Sequence, residues 1–152
     1  MKKHNLKASV SAAAIALSLA LGAQTAQAQD AVLPLPPVQQ SGNVSWVSGG
    51  VPDEQLPAIE AAKRDYPLVL ELYQKAGAKS EYTAGADIRI KNGKGDVLLD
   101  AKSTGPFFLV RMPPGTYHVE ATLEDKAISK KGVSVPSKGS RRVVFVFPEG
   151  TD

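Results

Sequence analysis

His118 and Glu120 stand two residues apart in a stretch, Tyr117-His118-Val119-Glu120-Ala121, where apolar and polar residues alternate. Alternation at period two places both on one face of a strand. An imidazole and a carboxylate so placed could act as a base with its orienting partner, or as two ligands of a metal. A catalytic zinc, however, takes three protein ligands and keeps a position open for water. His4 is the only other histidine, and the chain has no cysteine. The pair therefore reads as a solvated histidine beside a carboxylate, with no catalytic, cofactor-binding or metal-ligating residues expected.

Two further groups carry charge or turn chemistry. Asn92-Gly93-Lys94-Gly95-Asp96 lacks the acidic spacing and distal bidentate glutamate of a calcium loop, and suits a hairpin turn instead. Lys126, Lys130 and Lys131, with Lys138, Arg141 and Arg142 close behind, form a basic cluster. Such a cluster is ordinarily a solvated face or a protected sheet edge. It is also the one candidate partner surface in the sequence, suited to an acidic protein, an anionic glycan or a lipid headgroup. No serine sits in a nucleophile elbow, and no phosphate-cradling glycine loop precedes a helix.

The compartment is legible at the N-terminus. Lys2, Lys3 and Lys7 precede an apolar run over residues 8–21, and Ala26-Gln27-Ala28 supplies small residues for cleavage. This pattern predicts a signal peptide over residues 1–28, and hence an exported, periplasmic or secreted protein. The first 28 positions hold three of the 18 Lys and Arg residues and none of the 15 Asp and Glu residues, so the remainder carries 15 of each sign. A balanced domain lacks the field that concentrates nucleic acid. Without cysteine there is neither a disulfide nor a lipid-modified cysteine after the cleavage site, and no later apolar stretch is long enough to span a bilayer.

Residues 29–43 contain repeated prolines and no apolar period. They read as a tether that stays out of any sheet, leaving residues 44–150 as one domain. Residues 44–48 suggest a short strand. Leu56, Ile59 and Ala62 recur at helical spacing, predicting one short helix over residues 54–64 with Asp53 as its cap. From Tyr66 the period becomes two. Strands are expected from Leu68, around Ile88 and Ile90, at 97–99, 107–112, 117–124, 127–135 and 141–147. The last, with apolar residues on both faces, is expected in the middle of a sheet or under the helix. Seven or so short strands between glycine and proline turns predict an all-β, antiparallel β-sandwich with one short N-terminal helix.

The glycine turn at Gly93–Asp96, the aromatic strand after Ser103-Thr104-Gly105-Pro106-Phe107, and the corner Met112-Pro113-Pro114-Gly115-Thr116-Tyr117 together resemble the carboxypeptidase regulatory-like, or transthyretin-like, domains of the bacterial cell envelope. The resemblance covers roughly residues 68–147 and implies an accessory module rather than a peptidase. Bottom-up, the corner is structural. Two prolines stiffen the approach, and Tyr117 starts a strand with its ring inward and its hydroxyl near backbone at the rim. Transthyretin-like hydrolases of purine breakdown resemble this fold class but carry several histidines and a Tyr-Arg-Gly-Ser tail, whereas this chain ends Pro148-Glu149-Gly150-Thr151-Asp152. Collagen-adhesin repeats, a related sandwich, form Lys–Asn isopeptide bonds with an asparagine on the closing strand; residues 141–147 contain none.

The sequence thus points to a non-enzymatic, exported β-sandwich module that binds a protein or glycan in the cell envelope. A small transthyretin-like hydrolase and a purely structural envelope subunit are the alternatives.

Overall fold

A computed structural model describes residues 32–151. The signal peptide and its cleavage site lie outside the described residues. Among the described residues, ten strands form two facing sheets with one short helix. The strands are β1 (Gln39–Ser41), β2 (Val44–Gly49), β3 (Leu68–Ala76), β4 (Lys79–Tyr82), β5 (Asp87–Lys91), β6 (Val97–Lys102), β7 (Phe107–Arg111), β8 (Gly115–Leu123), β9 (Lys126–Val135) and β10 (Arg141–Phe147). The first sheet runs β1-β2-β7-β3-β10, with β4 paired to the far end of β3; the second runs β6-β5-β8-β9. The architecture is the expected β-sandwich. No described helix is long and apolar enough to cross a membrane.

Alternation explains the core. Leu68, Leu70 and Leu72 of β3, Phe108 and Val110 of β7, and Phe145 and Phe147 of β10 face Ile88, Ile90, Val119, Ala121 and Val133 from the second sheet. Every one of them is buried. The outer face of the first sheet is apolar at one end as well, because a helix covers it. Ala62 and Tyr66 pack there on Val47, Val69 and Leu109. That helix, α1 (Leu56–Ala62), lies between 3-10 turns at Asp53–Gln55 and Lys63–Asp65. Pro57 is tolerated because it sits in the first turn, where its missing N–H has no helical partner. Asp53 makes no capping hydrogen bond; the Gln55 side chain instead accepts from the Gly50 N–H at 3.0 Å.

Three expectations are corrected. The segment assigned as a tether joins the fold. Residues 39–41 pair antiparallel with β2, the Leu33 N–H donates to the Glu54 carbonyl, and Leu35 packs on the cluster beneath α1. Its prolines all precede Gln39, so the short strand keeps its donors. Second, β10 is neither central nor under the helix. It forms the edge of the first sheet and pairs with β3 in parallel, from Arg141↔Leu68 to Phe147↔Gln74. Third, the four residues of β4 carry no alternating apolar pattern, and the hairpin turn at Gly77 rather than periodicity folds them back onto β3.

Candidate functional site

The basic residues come from two strands at one side of the sandwich. β9 ends the second sheet, β10 ends the first, and the two edges adjoin. Opposite Val119, Ala121 and Leu123 stand Lys130, Ile128 and Lys126, so both lysines share the inward side of β9. Lys130 lies at the rim with its ammonium 5.6 Å from the ring centre of Phe145. Lys126 is 3.9 Å from Asp125. Arg141 is exposed at the start of β10. These three cations run along the seam between the sheets.

Lys131 and Arg142 point elsewhere. Tyr117 pairs with Val133 but Val119 with Lys130, so Lys131 and Gly132 together oppose His118 in a β-bulge. Gly132, at φ +68°, takes the left-handed conformation this bulge needs. Lys131 consequently turns to the outer side of the second sheet. There it shares a hollow of about 280 Å³ with Lys91, Asn92, Thr116 and His118. The bulge also alters the histidine. His118 is half-buried, and its Nε2 is shielded from solvent with no hydrogen-bond partner among the described residues. The expected solvated histidine is therefore corrected. Glu120 does not orient it, since its carboxylate accepts from the Ser129 hydroxyl at 3.0 Å.

Arg142 belongs to a cluster that periodicity did not reveal. On the outer face of the first sheet Glu71 is only 3% exposed. It accepts from Lys63 Nζ at 2.9 Å, from Arg142 Nε at 2.7 Å and from the Tyr73 hydroxyl at 3.4 Å. Lys63 also bonds Glu60 at 2.7 Å and lies over the Phe107 ring. Burial acts on Glu71 to raise its pKa, but the hydrogen bonds and charges of Arg142 and Lys63 outweigh it and hold the carboxyl below its ordinary range. Burial likewise opposes the charge on Lys63, and its bonds to Glu60 and Glu71 overcome this and raise it. Tyr73 is pushed up to about 12, first by burial, then by Tyr82 and the Glu71 charge. A carboxylate so stabilised is a weak base, and such a tyrosine keeps its proton. The cluster ties α1, β3 and β10 together.

The second sheet carries a polar outer face. Arg89 and Asp100 pair across β5 and β6 at 3.0 Å, beside Glu120 and Thr122, around a hollow of about 310 Å³. Alternation marks these residues as outward. Register decides which charge lies opposite which, and the sequence does not print it. Trp46 is half-buried, stacks on Phe108 at 6.3 Å and lines a groove of about 340 Å³ with Pro36, Gln39 and Lys102.

No protein-family model matches the sequence, and no match is found among curated proteins.

Proposed function

We propose that the chain is a non-enzymatic, exported β-sandwich module that binds a protein or glycan partner in the cell envelope. The leader over residues 1–28 supports export. The resemblance to carboxypeptidase regulatory-like domains supports an accessory role. One observation carries the reading: Lys126, Lys130 and Arg141, drawn from two strands, line one seam of the sandwich. Cations gathered along one side of a charge-balanced domain favour an acidic partner over a uniform field.

The test uses the protein beginning at Gln29 as bait in envelope extract, alongside assays of purine-intermediate hydrolysis and peptidase activity. The expected result is capture of a discrete partner without turnover. Reversing Lys126, Lys130 and Arg141 to glutamate should weaken that capture and make it less sensitive to salt. Turnover that His118→Ala abolishes would replace this reading with the transthyretin-like hydrolase. Capture unchanged by charge reversal would move the partner surface to the Trp46 groove.

A further inference from the structure

Of the four sheet edges, β10 alone lacks the usual protection against pairing. β1 is three residues long. β6 carries exposed Asp100 and Lys102 and meets a register irregularity at Ile90/Lys91. β9 has the bulge at Lys131-Gly132 and three lysines. β10 has neither proline, glycine nor lysine, and all seven of its residues keep unbroken register with β3.

Its hydrogen-bonding direction follows from one bond. The Arg141 N–H donates to the Pro67 carbonyl while Arg141 is aligned with Leu68. In a parallel ladder, alternate residues turn both backbone groups toward the same neighbour. Residues 141, 143, 145 and 147 therefore face β3, and Arg142, Val144 and Val146 turn their N–H and C=O groups to the free edge. Val146 is 39% exposed. The chain beyond β10 leaves this edge open: the Glu149 carboxylate accepts from the Gly77 N–H and the Thr151 carbonyl from Gln74, both toward the β3–β4 hairpin.

Resting on the binding-module reading, we infer that the free edge of β10 is a docking strand for an extended acidic peptide of a partner protein, which adds a strand to the first sheet. Strand addition draws affinity from main-chain bonds and specificity from alternate side chains. On the outer side, alternate residues of the incoming peptide lie beside Val144 and Val146, which suits apolar residues. On the inner side they lie over the rim held by Lys130 and Lys126, which suits carboxylates. A second copy of this chain fits less well, because pairing β10 with β10 sets the cations of one seam against those of the other.

The probe is a capped decapeptide of alternating valine and glutamate. A valine–lysine peptide and a scrambled valine–glutamate peptide are the controls. Binding should protect the amides of Arg142, Val144 and Val146 from hydrogen exchange, and both controls should bind at least about tenfold more weakly. Val144→Pro deletes a donor that faces away from β3, at an edge position where proline is tolerated. It should retain the melting temperature and lose about tenfold or more in affinity. Should that variant not fold, the Lys126→Glu/Lys130→Glu double variant takes its place, with the same loss expected, and exchange protection in the unaltered protein decides independently. Protection at another edge, equal binding of the controls, or full affinity in Val144→Pro would overturn the inference. So would concentration-dependent protection of the same amides without peptide, which would assign the edge to a second copy. If Val144→Pro still captures its envelope partner, the edge is wrong and the module reading stands; enzymatic turnover would instead remove the module reading.

Discussion

The Tyr117 hydroxyl donates to the Pro113 carbonyl oxygen at 2.7 Å, closing a four-residue corner over the rim of the core. The ring is buried beneath it. Tyr117→Ala should cost about 3–5 kcal/mol and Tyr117→Phe about 1 kcal/mol, the first for the lost ring and the second for the lost bond. His118→Ala, next along the strand, should stay within about 0.5 kcal/mol, because the imidazole nitrogen it removes has no partner. Chemical denaturation of the three variants gives the ranking. Equal losses at 117 and 118 would mean that the strand's faces are assigned wrongly.

Gly105 should not accept a side chain. A Cβ there would lie 2.2 Å from the Gly49 carbonyl oxygen. The approach is fixed on both sides, since the Thr104 N–H donates to Ser48 Oγ at 2.9 Å and Thr104 Oγ1 donates to the Ser48 carbonyl at 2.8 Å. Gly105→Ala is expected to destabilise by about 1–3 kcal/mol. Gly93→Ala, with open space around it, serves as the control. Similar melting temperatures for the two would contradict the backbone contact.

Stability should fall at both ends of the pH scale, by different groups. Glu71 is depressed from its ordinary 4.5, so its contribution is complete above that value and fades as acid protonates it. Lys63 and Tyr73 are raised from 10.5 and 10.0, so their contributions are complete below those values and are lost as pH climbs, for Tyr73 toward about 12. Glu71→Gln should lower the neutral-pH stability by about 2 kcal/mol and flatten the acid limb. Melting curves from acid to alkaline pH would show this. An acid limb of unchanged slope in the variant would assign acid sensitivity to other carboxylates.

Residues 32–41 belong to the folded unit, and Leu35 tests it. Its half-buried side chain packs beside Val69 and Leu109 under the helix. Leu35→Ala should cost about 1–2 kcal/mol, and Leu35→Asp more. Val38→Ala, exposed on the same segment, should be neutral. If both alanine variants melt like the parent protein, this segment contributes nothing to the domain.

What the sequence by itself determined is whatever rests on local period and turn chemistry. Alternation in Tyr117–Leu123 and Arg141–Phe147 named the inward residues of β8 and β10, the glycine turn placed the β5–β6 hairpin, and spacing three placed the helix. These signals depend on neighbours a few residues away, so one chain suffices to read them. Tertiary structure alone decided what lies opposite what. It put β10 on an edge and parallel to β3, because its outer face finds partial cover from Arg142 and its pairing with Glu71 rather than from a second layer. It buried Glu71, a residue that alternation marks as polar and outward, since Lys63 and Arg142 arrive from 8 and 71 residues away to neutralise it. It split the basic cluster as well: one bulge at Gly132 sends Lys131 to the opposite face from Lys126 and Lys130, and a shift of one residue in a period-two strand reverses every side chain beyond it.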